Sequence, residues 1–392
     1  MKMLIISYDY YPNNIWGVGL NVKNFVDFVK KTDKVTLVTA KFRKENIDII
    51  SVSNDIQEYF LFGKFLSNNA YKDSDLMGAF NVLLAKKIKK FYNKIKDKPD
   101  IIYNHGWMTW ECTKIVADYF KVPVVSSIHF FEKQYLFSNN NCTKTDWKDI
   151  FKLEKEMFTK SKKLIVYTEN EKNNIKNLYN IKHNNFAIIP HNIDLPTLDR
   201  QSSMDKIKIL FVGRLIKDKG IEELIEIFDE ISLNYKNVEL VIVGDGVLKE
   251  NLELNNHNKK VTFVGWKEGV ELYNYYNTCD IFCFPSKTET FGMVLIEAMK
   301  YKIPIITTEG DSVANIVENN YSGLTSRLTC ENNMLKINKE DFKEKIIKLI
   351  EDKKLRSYLA NNAFEVYKRK YIFNENQEIR ELLMEVLKNE RI

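Results

Sequence analysis

Apolar runs of strand length recur along the whole chain, each followed by a helical pattern. In the first half they fall at Met3–Ser7, Val35–Thr39, Ile101–Asn104, Val122–Ile128, Leu164–Tyr167 and Ala187–Pro190. In the second half they fall at Lys208–Val212, Glu239–Val243, Val261–Val264, Ile281–Phe284 and Ile303–Thr307. Several are apolar at consecutive positions, as in Leu210-Phe211-Val212 and Leu240-Val241-Ile242-Val243. A strand apolar on both faces must be covered on both, which is the condition of a parallel sheet flanked by helices. Strand alternating with helix predicts an α/β doubly wound sheet, and there are enough strands for two. A length of 392 residues agrees with two domains. The polar, proline-containing stretch from Leu195 to Ser203 separates two strand patterns and marks the boundary, with domains over 1–198 and 199–371. A last helix, about Asn374 to Asn389 within 372–392, repeats Ile379, Leu382, Leu383, Val386 and Leu387 at helical spacing.

Composition narrows the function classes. With 44% hydrophobic and 29% charged residues the chain reads as soluble and globular. A net charge of +6, from 59 basic and 53 acidic residues, permits an anionic ligand or membrane surface but does not argue for nucleic acid. No stretch reaches the ~20 apolar residues of a membrane span. The opening Met1-Lys2-Met3-Leu4-Ile5-Ile6-Ser7 fits a first strand better than a signal peptide. Five cysteines without CxxC spacing read as reduced thiols, which points to the cytoplasm.

One stretch joins a strand end, a turn and a helix start: Pro285-Ser286-Lys287-Thr288-Glu289-Thr290-Phe291-Gly292-Met293-Val294-Leu295-Ile296-Glu297-Ala298-Met299. Glu289 falls in the turn, and Glu297 lies about two helical turns on. The amides of Phe291, Gly292, Met293, Val294 and Leu295 sit where the helix begins, and the first four N–H groups of a helix lack internal partners. Such an end attracts phosphate, while carboxylates accept hydroxyl donors. A diphosphate between two polyols, which is a nucleotide sugar, suits the segment.

The segment resembles the signature of retaining glycosyltransferases with the GT-B fold, family 4: Pro-Ser, Glu, Phe-Gly, a second Glu after seven residues, then Ala. The resemblance implies two Rossmann-like parallel-sheet domains facing across a cleft, with the C-terminal helix crossing back to the first. Ligands of open α/β sheets bind outside the carboxyl ends of the strands, and clefts between domains are favoured sites. Other motifs follow in the family's order. Tyr10-Tyr11-Pro12-Asn13-Asn14-Ile15-Trp16-Gly17-Val18-Gly19 resembles the N-terminal glycine-rich loop, with Val18 inserted between Gly17 and Gly19. His105-Gly106-Trp107 is similar to a His-Asp-Trp motif of glycogen-synthase-like members, with Gly106 in place of Asp; the plainer reading has His105 and Trp107 pack the loop. His129 ends a strand where the family places a histidine near donor sugar and acceptor. Ile189-Pro190-His191-Asn192-Ile193-Asp194 resembles Ile-Pro-Asn-Gly-Val-Asp and reads as structural. Gly213-Arg214-Leu215 with Lys219-Gly220 matches the Gly-Arg-Leu…Lys-Gly element, whose cations would neutralise a diphosphate. Trp266 follows the strand beside the family's nucleobase pocket, where stacking on a base and burial in the loop are equal readings. By resemblance, Glu289 would hold hydroxyls of the transferred sugar and Glu297 the ribose diol.

The expected activity is therefore metal-independent, retaining transfer from a nucleoside-diphosphate sugar, UDP-sugar favoured, to a hydroxyl of a glycan, lipid-linked or small-molecule acceptor. His129, Arg214, Lys219 and Glu289 form the expected catalytic set. No cofactor or metal is expected, since the nucleotide sugar is a substrate. Asp73-Ser74-Asp75 mimics a metal motif of another fold but precedes a helix instead of following a strand. The basic helix Lys86 to Lys98 is a candidate for contact with the inner face of the membrane, although such helices are more often solvated faces. Alternatives stay open: an ADP- or UDP-glucose-dependent α-glucan synthase, a phosphorolytic GT-B enzyme or a sugar-nucleotide epimerase, and, from another class, a catalytically silent protein that binds sugar nucleotides or glycans.

Overall fold

The computed structural model describes residues 1–10, 18–43, 50–52, 57–64, 97–133, 148–192, 195–198, 206–289, 291–310, 313, 316–331 and 334–390. The chain divides into two compact units. The first takes the described residues up to Pro190 together with those of Asn374–Ile392, and the second those of His191–Phe373.

The first unit is built on an eight-stranded sheet of β1 (Lys2–Ser7), β2 (Lys34–Arg43), β3 (Ile50–Val52), β4 (Gln57–Lys64), β5 (Ile101–His105), β6 (Val124–Ser127), β7 (Lys163–Val166) and β8 (Phe186–Ile188). The spatial order is β3-β4-β2-β1-β5-β6-β7-β8. All neighbours are parallel except β3 against β4. Leu4, Ile5 and Ile6 of β1, with Ile101, Ile102 and Tyr103 of β5, are buried, as central strands apolar on both faces should be. The chain winds outward from β1 in one direction and from β5 in the other, so the reversal lies between them.

The last helix, Glu375–Glu390, belongs to this unit and buries Ile379, Leu383 and Val386. Its Arg380 Nε donates to Asp33 Oδ2 at 2.6 Å, and the Met1 amine reaches Asp33 Oδ1 at 2.7 Å, with the Asp33 side chain 0% exposed. Burial alone would raise the Asp33 carboxyl, but hydrogen bonds from Arg380, the Met1 amine and Thr32 outweigh it and hold the group below the usual aspartate range. Folding therefore gains from this carboxylate above its unfolded pKa, about 3.9, and loses the gain as pH falls through the lower folded value. Asp33→Ala strands Arg380 and is expected to cost about 3 kcal/mol in urea unfolding at pH 7. The acid limb of its stability curve should also be flatter than that of the parent.

The second unit holds a six-stranded, wholly parallel sheet of β9 (Ile207–Val212), β10 (Val238–Val243), β11 (Val261–Gly265), β12 (Ile281–Phe284), β13 (Ile305–Thr308) and β14 (Gly323–Ser326), in the order β11-β10-β9-β12-β13-β14. Its reversal falls between β9 and β12. A separate antiparallel hairpin pairs β15 (Leu328–Glu331) with β16 (Met334–Ile337). The apolar-run criterion misses β3, β4, β14, β15 and β16, which are edge, next-to-edge or hairpin strands with mixed polarity. The run at Val122–Ile128 yields a strand only over Val124–Ser127, and that at Ala187–Pro190 one over Phe186–Ile188.

Candidate functional site

In the second unit, two loops leave the carboxyl ends of β9 and β12, the strands on either side of the reversal, where an open α/β sheet offers its crevice. Backbone bonds join them: Lys287 N donates to Asp218 O at 2.8 Å. After β9 the chain makes a single 3-10 turn, Lys217–Lys219, before the helix Ile221–Asn234. That turn aims the Lys219 ammonium at the other loop, where it donates to Glu289 Oε2 at 2.6 Å, Thr288 O at 3.1 Å and Ser286 Oγ at 3.3 Å. All three N–H donors of a lysine are thereby placed on protein oxygens. The pair is well shielded, with side chains 11% and 14% exposed. Phe284, the last residue of β12, lies under the ammonium at 5.5 Å from ring centroid to Nζ. Arg214, one residue past Gly213, is exposed instead, and its guanidinium has no ion-pair partner among the described residues.

The helix Met293–Lys300 starts at Gly292, which adopts φ +79°. A Cβ there would stand 3.1 Å from Leu295 Cδ1 and 3.4 Å from Glu289 Cγ, in a backbone region that side chains rarely adopt, so the turn between the carboxylates requires glycine. Leu295 N already donates to Gly292 O at 2.9 Å, so an anion at this end would meet the amides before it. Phe291 is buried against His191, edge to face at 4.8 Å, and Tyr371, so its side chain holds the turn. Glu297 is half-buried on the next turns and accepts the Tyr276 hydroxyl at 2.6 Å. Burial raises the Glu297 carboxyl above the usual range, against the Tyr276 bond, which lowers it. Tyr276 is itself pushed up by burial and by the Glu297 charge.

Gly213 N is fixed to Val243 O at 3.1 Å, which sets the start of the arginine loop. Trp266 follows β11 and is 64% exposed, which overturns burial in the loop as its role. Tyr276 stands in no recognisable motif of the sequence, and Ser286, though part of the Pro-Ser of the signature, shows its contact with Lys219 only in the structure. Among the described residues no three His, Cys, Asp or Glu side chains gather around a metal-sized space, and Asp73, Ser74 and Asp75 lie outside those residues.

The carboxyl edge of the first unit's sheet carries the remaining candidates. Gly19 N donates to the buried Asp9 Oδ2 at 2.9 Å, which ties the first turn of the helix Val18–Val29 to the end of β1; Gly17 lies outside the described residues. His129, just past β6, has both ring nitrogens engaged: Nδ1 with Tyr167 OH and Nε2 with His105 Nδ1, each at 3.0 Å. Trp107 is fully buried and packs the loop, whereas His105 joins this polar chain. Lys86 to Lys96 of the basic helix also lie outside the described residues, and no described helix is long and apolar enough to cross a membrane.

Comparison with known proteins covers nearly the whole chain. Residues 29–196 match the family described as Glycosyltransferase Family 4, and residues 198–366 that described as Glycosyl transferases group 1. A protein of Methanocaldococcus jannaschii described as an uncharacterized glycosyltransferase is 24% identical over 99% of this chain and 100% of its own. The structure of a sucrose-phosphate synthase from Thermosynechococcus elongatus superposes with a TM-score of 0.81 at 17% identity, over 99% of this chain and 100% of that one. An Anabaena protein crystallised with UDP-glucose superposes with a TM-score of 0.68 at 17% identity, over 98% of this chain and 100% of that one.

Proposed function

The chain belongs to the family 4, group 1 glycosyltransferases of the GT-B fold, and we propose that it moves a sugar, with retention, from a nucleoside-diphosphate donor to an acceptor hydroxyl without a divalent ion. The observation that carries this is the shielded Lys219–Glu289 pair across the strand reversal, with the exposed Arg214 on the same loop as Lys219. A diphosphate docked there would meet a guanidinium fork, an ammonium and the first amides of the helix Met293–Lys300. Negative charge grows on the leaving diphosphate as the anomeric bond breaks, and these donors would stabilise it there, Lys219 once the phosphate has drawn it from its protein oxygens. Glu289 would hold hydroxyls of the transferred sugar. Glu297, with one oxygen taken by Tyr276, keeps acceptor capacity for a ribose diol. The exposed Trp266 offers an aromatic face to a base. His129, on the first unit, is assigned to orienting the sugar. UDP is favoured as the nucleotide, in line with the UDP-glucose complex of the Anabaena protein.

The test is a panel of nucleoside-diphosphate sugars read by release of the nucleoside diphosphate, with a thermal-shift screen to select binders. Joint replacement Arg214→Ala and Lys219→Ala should abolish measurable release. Undiminished release would refute the phosphate assignment, and binding without release by the parent would point to a silent binding protein.

A further inference from the structure

We infer that His105 is a positioning residue that fixes the proton of His129 on Nδ1 and keeps that ring uncharged. His129 and His105 share one hydrogen bond at 3.0 Å, and only one of the two facing nitrogens can carry the proton. Two arrangements satisfy the contacts. In one, Tyr167 donates to His129 Nδ1, His129 Nε2–H donates to His105 Nδ1, and His105 must carry its proton on Nε2. That nitrogen is buried and has no partner among the described residues, so a bare N–H donor would be sealed away from water. In the other, His105 Nδ1–H donates to His129 Nε2, His129 Nδ1–H donates to the Tyr167 oxygen, and only a lone pair is stranded on His105 Nε2. Orphaned buried N–H groups are rarer than under-used acceptors, so the second arrangement is the stable one.

The chain of donors then runs on. Tyr167, accepting from His129, is left to donate to its hydrogen-bond partner Ser127, whose hydroxyl also meets Tyr103 OH at 2.6 Å. A serine oxygen can accept from both tyrosines. Burial lowers His105 to about 3, so it stays neutral over the working pH range and cannot become the cation of the pair. The Tyr103 ring lies 4.3 Å from that of His105. Glu375 of the last helix bears on both tyrosines; burial first, and then this negative charge, raise the Tyr167 hydroxyl, keeping it protonated.

The consequence for transfer rests on the reading of His129 given above. Positive charge builds on the sugar ring as its anomeric bond opens, and an uncharged imidazole beside it does not oppose that charge. The five histidines are few enough for assignment by nitrogen-15 spectroscopy of the full chain. In the parent protein the two ring signals of His129 should stay widely separated from pH 5 to 8, with Nδ1 protonated, and His105 should remain neutral. His105→Phe, which keeps a ring against Tyr103, should bring the two His129 signals together. His105→Asn, whose amide can donate to His129 Nε2, should separate them again. Averaged His129 signals, or a protonated His105 at pH 5, in the folded parent would overturn the inference. A His129→Ala enzyme with full transfer activity would overturn the role of His129 in transfer alone, so the two failures are distinct.

Discussion

Glu289→Gln is expected to lower sugar transfer about 10³-fold while tightening the binding of free nucleoside diphosphate about tenfold. The two effects run in opposite directions because Glu289 has two partners in prospect. In the structure it neutralises Lys219 across a 2.6 Å contact. A diphosphate arriving at the loop must therefore compete with a carboxylate for that ammonium. Glutamine can still accept the lysine N–H but leaves the positive charge uncompensated, so an anion gains. The sugar loses a charged acceptor for its hydroxyls at the moment when orientation matters most. Titration calorimetry with UDP and initial rates of donor turnover check the two halves separately. Unchanged turnover would remove Glu289 from the sugar; weaker UDP binding would remove Lys219 from the diphosphate.

Gly244→Ala should cost the second unit about 4 kcal/mol and abolish donor binding with it. Gly244 follows β10 with φ +146°, and a Cβ there would lie 1.9 Å from Gly213 O and 3.0 Å from Gly213 C. Both obstacles are backbone, so no side-chain rotation relieves them. Neither side can retreat, because Gly244 N is bonded to Gly265 O at 2.9 Å and Gly213 N to Val243 O at 3.1 Å. The residue after Gly213 is Arg214, so whatever displacement the chain finds moves the guanidinium. Urea unfolding checks the stability. A loss under about 1 kcal/mol would mean that the two loops do not cross this closely.

The central strands were legible because burial on both faces writes itself as consecutive apolar residues. Leu210-Phe211-Val212 could be read as a strand without any partner in view. The outlying strands lack that signature: β14 is a buried sheet edge whose Gly, Thr and Ser interrupt the apolar run, and β15 and β16 form a separate hairpin that mixes Thr and Lys with apolar residues. At the site, Arg214, Lys219, Glu289 and Glu297 were legible as residues in a motif. Their contacts were not, since Lys219 and Glu289 are 70 positions apart and the register of β9 against β12 brings them together. Tyr276 and Tyr167 were invisible for the same reason, as each acts only through a residue on another element. Trp266 shows a limit of a different kind: an aromatic after a strand reads equally as packing or as a platform until its exposure is known.

The position of the last helix bears on how the protein is made. Eight strands of the first unit leave the ribosome before Gly213 does, yet Arg380 emerges only after the second unit has been synthesised. Throughout that interval Asp33 waits in the nascent chain without the guanidinium that later meets it, and the surface destined to cover Ile379, Leu383 and Val386 stays open to water. Chaperones would therefore find their target in the earlier-made half of the nascent polypeptide, and a premature stop near residue 373 would release a chain whose late-made half is whole and whose early-made half is not.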